Sequence, residues 1–312
     1  MLPFLLKPYL KKVIWGGSSL AAFKGLGSKL DSVGESWEVS AMPGRESVVD
    51  SGEFAGISLA DLSRSHGPEL LGKATYERTG GEFPLLIKFI DSEDDLSVQV
   101  HPGDEIARRR HGCLGKCEMW YIIAARDGSR LGAGLSRPLD PDSFESSVAD
   151  GSFIGAIDWY DTHPGDTFYL PAGSVHAIGR GNLLLEIQQP SDITYRIYDY
   201  DRRDAAGNLR PLAVGDARDA IDYTTGRDYR VHPDGEYLLR GEHFTVRRLR
   251  VTPGAPGVIV CDTVTAVTVV EGSLTALCGT QSLEVGRGHT LLVPADARTR
   301  LEGDATVIVV NP

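Results

Sequence analysis

Long apolar runs, positive charge and helical periodicity are all scarce in this 312-residue chain. No apolar stretch approaches the ~20 residues a bilayer-spanning helix needs. The start, Met1-Leu2-Pro3-Phe4-Leu5-Leu6-Lys7-Pro8, has neither a basic lead nor a small-residue cleavage site and makes a poor signal peptide. A formal net charge of -11 excludes the broad basic footprint of a nucleic-acid partner, although a few local cations can still hold one small phosphate. The four cysteines, Cys113, Cys117, Cys261 and Cys278, lack the paired spacing of a zinc finger and read as reduced thiols. The expectation is a cytoplasmic protein without a membrane partner, monomeric or a homodimer.

What the chain has instead is glycine (36) and proline (17) punctuating short β-rich runs. Leu85–Ile90, Leu96–Val100, Met119–Ala124, Thr167–Leu170, Leu183–Gln188 and Ile193–Tyr198 read as strands. So do Thr245–Val251, Val258–Val260, Ala266–Val270, Leu274–Leu277, Thr290–Val293 and Thr306–Val309. Ser58–Ser65 reads as a short helix with Ser58 at its N-cap and Asp61 three residues on, and Leu212–Ile221 as a second. A polar, turn-rich stretch at Thr224–Glu236 divides a larger domain, 1–230, from an all-β one, 231–312. Gly165-Asp166-Thr167-Phe168-Tyr169-Leu170-Pro171-Ala172 resembles Gly288-His289-Thr290-Leu291-Leu292-Val293-Pro294-Ala295, which suggests duplicated β-barrels. His176 follows Pro171 by five residues, whereas that offset from Pro294 lands on Thr299, so the second copy lacks a metal ligand there.

Chemistry concentrates in four stretches. In Leu96–Pro102 strand alternation puts Ser97, Gln99 and His101 on one face and Leu96, Val98 and Val100 on the other. An amide and an imidazole turned inward need partners, and a cation supplies one. Lys116 and Glu118 share a face in a strand flanked by Trp120, Tyr121, Ile122 and Ile123, where a charged pair needs a reason. Gly165, Pro171 and His176 follow the second cupin sequence pattern. Together Gln99, His101, Glu118 and His176 offer two imidazoles, a carboxylate and an amide oxygen, a set suited to one divalent ion, Zn²⁺ ahead of Mn²⁺, Fe²⁺ or Co²⁺. Leu184, Glu186 and Gln188 share one strand face, as do Thr194, Arg196 and Tyr198 on the next. Arg196 suits a phosphate or a developing oxyanion, or alternatively a structural pair with Asp192, Asp199 or Asp201.

These residues carry a resemblance to the type I mannose-6-phosphate isomerases, in their short bacterial form. It runs through Gly34–Ser40, Pro84–Lys88, Leu96–Pro102, Gly115–Tyr121, Gly165–Gly179 and Glu186–Arg202. The resemblance implies a mainly β fold of two cupin-type (jelly-roll) barrels with a small helical insertion in the first. It implies metal ligands at Gln99, His101, Glu118 and His176 and sugar-phosphate contacts from Lys88, Ser97, Lys116, Glu186 and Arg196. Within that reading Glu186 or Lys116 is the proton-shuttling base, Arg196 stabilises the oxyanion, and Lys88 and Ser97 with one arginine meet the 6-phosphate. Two departures stand out. Cys117 occupies the place of a small hydroxyl residue, and Arg210-Pro211-Leu212-Ala213 lacks the histidine that often ends this segment. Other readings are a non-catalytic sugar-phosphate-binding cupin and a cupin iron oxygenase, though the latter uses two histidines and one carboxylate without Gln99.

Overall fold

The computed structural model describes residues 1–27, 32–203 and 206–312 and is mainly β. Three antiparallel sheets form successive layers. The five-stranded sheet runs Tyr195–Tyr198, Val98–Val100, His176–Ile178, Arg130–Leu135, Ile157–Asp161. The six-stranded sheet runs Thr167–Leu170, Glu118–Ala125, Asn182–Gln188, Leu86–Ser92, Val33–Val39, Tyr9–Lys12. The nine-stranded sheet holds the strands from Tyr237 to Asn311 together with Phe4–Lys7 and Val48–Val49. The amino-terminal apolar stretch thus pairs at Phe4↔Leu292, inside the sheet of the carboxy-terminal strands.

Side-chain alternation explains the layering. Along Asn182–Gln188, Leu184 packs with Trp120, Ile122, Leu131 and Ile178 between the five- and six-stranded sheets. Leu183, Leu185 and Ile187 point the other way, against Val246, Ala266, Leu292 and Ile308 of the nine-stranded sheet. The six-stranded sheet is therefore covered on both faces, and Val33–Val39, Leu86–Ser92 and Asn182–Gln188 are buried throughout. Such strands read as continuous apolar runs unless something polar is held inside. Val98 and Val100 face outward into a cluster with Phe144, Phe153 and Ala217, so Gln99 faces inward.

The expected strands occur, most with ends shifted by one or a few residues, while Thr306–Val309 is the later part of a longer strand, Thr299–Asn311. Ala266–Val270 and Leu274–Leu277, read as two strands, are one strand, Thr265–Cys278, whose register shifts between Val269 and Glu271. The bulge absorbs the break in alternation that suggested a turn. Thr194, Arg196 and Tyr198 do not share a face. The ladder shifts between Arg196 and Tyr198, and Tyr198 packs on the outward cluster beside Tyr195 and Ile197.

The helix expected at Ser58–Ser65 runs on to Leu71 past a kink at His66, and Ser58 Oγ caps it by accepting from Asp61 N at 3.1 Å. Its end is welded to the nine-stranded layer, since Leu71 O accepts from Val264 N and Leu70 O from Ala295 N. Gly72 makes that approach with φ +80°, and a Cβ there would lie 1.9 Å from Asp262 O. Gly80 has φ +64° but open space around it. Gly72→Ala is expected to cost about 3 kcal/mol of stability and Gly80→Ala about 1, because only the first adds a backbone clash to the conformational penalty. Chemical denaturation of both variants checks the order, and equal losses would show that Asp262 yields freely.

Candidate metal centre and active site

Two rows of side chains face each other across the gap between the five- and six-stranded sheets. In the first, strand pairing places Arg196, Gln99 and His176 side by side on three neighbouring strands. In the second, Trp120, Glu186, Lys88 and Trp37 are consecutive partners across four strands. His101 extends from the end of its strand, and Glu118 begins the strand that carries Trp120.

His101, Glu118 and His176 converge with their ligating atoms all within 4.8 Å of one another. Glu118 Oε2 lies 3.5 Å from His101 Nε2, and Glu118 Oε1 lies 3.2 Å from His176 Nε2. The outer nitrogens are occupied: Nδ1 of His101 lies 2.7 Å from Ile193 O and Nδ1 of His176 lies 2.9 Å from Ser174 O. A carbonyl accepts only from N–H, so both Nε2 lone pairs turn inward. Gln99 Nε2 stands 3.2 Å from His176 Nε2, and turning the amide over would aim its oxygen at the same point. His101 Nε2 and both Glu118 oxygens are buried without a well-directed hydrogen bond to a described residue, although Oε2 has the Lys116 ammonium beside it. Leaving three such atoms orphaned is costly, and a cation among them would satisfy all three. The donor set fits a divalent ion.

The charge state suits that purpose. Burial, helped by the Lys116 charge, pushes the His101 pKa down to about 3, and burial also lowers His176, so both imidazoles are neutral. Burial alone would raise Glu118, but the Lys116 charge holds it well below the usual carboxylate range. Lys116 Nζ sits 2.9 Å from Glu118 Oε2. Burial opposes its charge, yet Glu118 and Glu186 raise its pKa. Neutral imidazoles and an ionised carboxylate are the protonation states metal binding demands.

Beside the cluster a cavity of about 190 Å³ reaches it at Gln99 and Lys116 and is lined also by Lys88, Ser97, Glu186 and Arg196. Glu186 is pinned: Oε2 accepts from Lys88 Nζ at 3.0 Å and Oε1 from Trp120 Nε1 at 3.2 Å. Lys88 also donates to Gln188 Oε1 at 2.8 Å and lies 4.7 Å above the Trp37 ring. Ser97 Oγ accepts from Arg196 Nε at 3.3 Å, and Arg196 Nη1 donates to Pro211 O at 3.0 Å. The structural pair considered for Arg196 does not form among the described residues. Asp199 is taken by Arg202 and Arg210, and Asp192 by Arg45.

Every residue named as a candidate metal ligand, catalytic group or substrate contact therefore lies at the cluster or its cavity. The cavity also holds Lys11, Glu35, Asp192 and Arg210, which that reading did not assign. Lys11 Nζ meets Glu35 Oε1 at 2.8 Å, a pairing across 24 residues. Glu35 lies within the resembling stretch Gly34–Ser40, the one signal that could have found it. Cys117 is buried, and burial pushes its thiol up to about 12.

The family model "Phosphomannose isomerase type I, catalytic domain" matches residues 4–116. The mannose-6-phosphate isomerase ManA of Bacillus subtilis is 34% identical over 316 residues, covering 98% of each chain. The mannose-6-phosphate isomerase of Streptococcus mutans is 32% identical over 315 residues, covering 98% of this chain and 97% of that one. The crystal structure of mannose 6-phosphate isomerase from Bacillus subtilis superposes with a TM-score of 0.90 at 30% identity, covering 100% of each.

If the orphaned atoms await a cation, Glu118→Gln should remove most of the divalent metal that the purified wild type carries, at least about tenfold in affinity. Elemental analysis and a calorimetric metal titration check this. Full metal content in the variant would place the ion elsewhere.

Proposed function

The chain belongs to the type I mannose-6-phosphate isomerases, and from that premise we propose that it interconverts mannose 6-phosphate and fructose 6-phosphate through a cis-enediol. The observation that carries the proposal is the convergence of Gln99, His101, Glu118 and His176 beside a cavity that also presents Lys116, Glu186 and Arg196. Those four residues would hold one divalent ion, for which the mixed nitrogen and oxygen set favours Zn²⁺. Bound there, the ion would supply Lewis acidity toward the sugar's oxygens.

The remaining chemistry belongs to side chains. A proton must leave C2 of the aldose and return at C1, which calls for one base within reach of both carbons. Glu186 and Lys116 were the two candidates, and we assign the task to Glu186. Its carboxylate is held by Trp120 and Lys88 yet keeps acceptor capacity on both oxygens. Lys116, paired with Glu118, stays an ammonium and faces developing negative charge as a donor. Arg196 has no carboxylate partner among the described residues, so its charge is available to the enediolate oxygen. Lys88 uses two of its three N–H groups on Glu186 and Gln188, leaving one for the 6-phosphate together with Ser97 and Arg210.

In the same proposal residues 1–230 form the catalytic unit and 231–312 a metal-free companion to which Phe4–Lys7 is lent. The free cysteines accord with a cytoplasmic location.

A coupled assay with mannose 6-phosphate tests the activity, and a metal-loaded enzyme without turnover would overturn it. Glu186→Gln should lower kcat by at least about 10²-fold and abolish exchange of the C2 proton with solvent. Arg196→Ala should lower kcat by about 10²–10³-fold with a smaller change in KM. Lys88→Ala should chiefly raise KM for the phosphorylated sugar, and an unchanged KM would remove it from the phosphate site.

A further inference from the structure

We propose that a groove between the six- and nine-stranded sheets, on the other side of the six-stranded sheet from the cavity described above, is a second binding site for a nucleoside diphosphate. Its volume is about 910 Å³, towards the upper end of small-molecule sites, which run roughly 300–1,000 Å³. Three kinds of lining group meet there, and each matches one part of that ligand.

The first is arginine. The strand Thr245–Val251 carries Arg248 and Arg250 on one face, and both line the groove together with Arg287. Arg250 is paired with Asp304. Arg248 and Arg287 form no ion pair with a described carboxylate. Arg287 Nε donates to Phe23 O at 3.1 Å, and its guanidinium stands 5.3 Å from the Phe23 ring centroid, which leaves its two terminal nitrogens open. Arg248 and the terminal nitrogens of Arg287 thus keep donors for phosphate oxygens, although Glu236 and Glu271 offset their charge within the groove.

The second is an apolar wall. Tyr121 and Ile123 come from one sheet and Val270 from the other, next to Phe23. Tyr121 and Val270 are buried, so a flat aromatic base would cover what Phe23 and Ile123 leave exposed. The third is a pair of carboxylates, Glu236 and Glu271, the latter accepting from Thr306 Oγ1 at 3.0 Å through Oε2 and so keeping Oε1. Carboxylates repel phosphate but accept from hydroxyls, and a ribose diol offers two.

The site is not the substrate cavity seen from behind. Along Glu118–Ala125, Trp120 faces the metal cluster and Tyr121 faces the opposite layer. A ligand here would bridge two sheets whose apolar contact ends at the groove.

Isothermal titration with ADP, GDP and inorganic phosphate on the intact metal-loaded enzyme tests this. The expected result is saturable binding of at least one nucleotide at sub-millimolar concentration, tighter than inorganic phosphate and undisturbed by saturating mannose 6-phosphate. The double variant Arg248→Ala with Arg287→Ala should weaken it at least about tenfold, or 1.4 kcal/mol, while mannose 6-phosphate turnover is unchanged. The single variant Arg248→Glu should do the same by charge reversal should the double variant fold poorly. No saturable heat, displacement by mannose 6-phosphate, equal binding of inorganic phosphate, or undiminished affinity in the variants would each overturn the proposal. The binding outcomes are read whether or not the isomerase reading holds, and only the turnover control rests on it.

Discussion

The Glu118 carboxylate is the point on which the structure turns. It is buried between two sheets, within 3.5 Å of His101 on one oxygen and 3.2 Å of His176 on the other, with Lys116 alongside. An isolated carboxylate in such a place would take up a proton. One ammonium and two inward lone pairs cannot reconcile all three orphaned atoms, because lone pairs and carboxylate oxygens are all acceptors. A cation bound among them would resolve that conflict.

The flanking rows follow from the same constraint. Glu186, Lys88 and Gln188 are polar residues inside strands buried on both faces, and each is satisfied by another: Lys88 bridges Glu186 and Gln188, and Trp120 donates to Glu186. Half-satisfied networks are worse than an apolar core, whereas fully connected ones lock side-chain geometry. The outer layers prevent relaxation. The cluster of Leu185, Ile187, Val246 and Ile308 backs the sheet carrying Glu186, and that of Val98, Val100 and Phe144 backs the sheet carrying Gln99. Charged groups are thereby held on rigid strands, the arrangement precise catalysis needs.

Much of this was legible because a strand has a period of two. Alternation alone put Ser97, Gln99 and His101 together and separated Glu186 from Ile187, and packing follows that division. It failed where a bulge resets the period, at Tyr198 and at Glu271. The helix Asp104–His111 left little trace, since Ala107 is its only buried residue and no apolar stripe exists to detect. Its signals are the acids of the first turn, Asp104 and Glu105, and Gly112 beyond its end. Lys11 and Asp192 were beyond reach for another reason. They enter the cavity from loops and edges whose register depends on tertiary pairing, and Asp199 gathers Arg202 and Arg210 through a turn with Tyr200 and Asp201 at positive φ.

Charge closes the argument about what the cavity is built to receive. The four buried ions Lys88, Lys116, Glu118 and Glu186 sum to zero. Lys11 is balanced by Glu35, and Arg45 by Asp192. Asp199 and Asp94 together offset Arg202 and Arg210, so among these described residues Arg196 supplies the unpaired positive charge. A divalent ion bound at the cluster would raise the total further, deep in a poorly screened interior. A phosphate monoester carries about -2 near neutral pH, and an enediolate adds one more negative charge as it forms. The fixed excess of positive charge is thus best compensated when the reacting sugar is most negative, which is the differential binding that lowers a barrier. A neutral sugar of the same shape would leave that excess uncompensated, so the preference for a phosphorylated substrate resides in the cavity's charge as much as in its contacts.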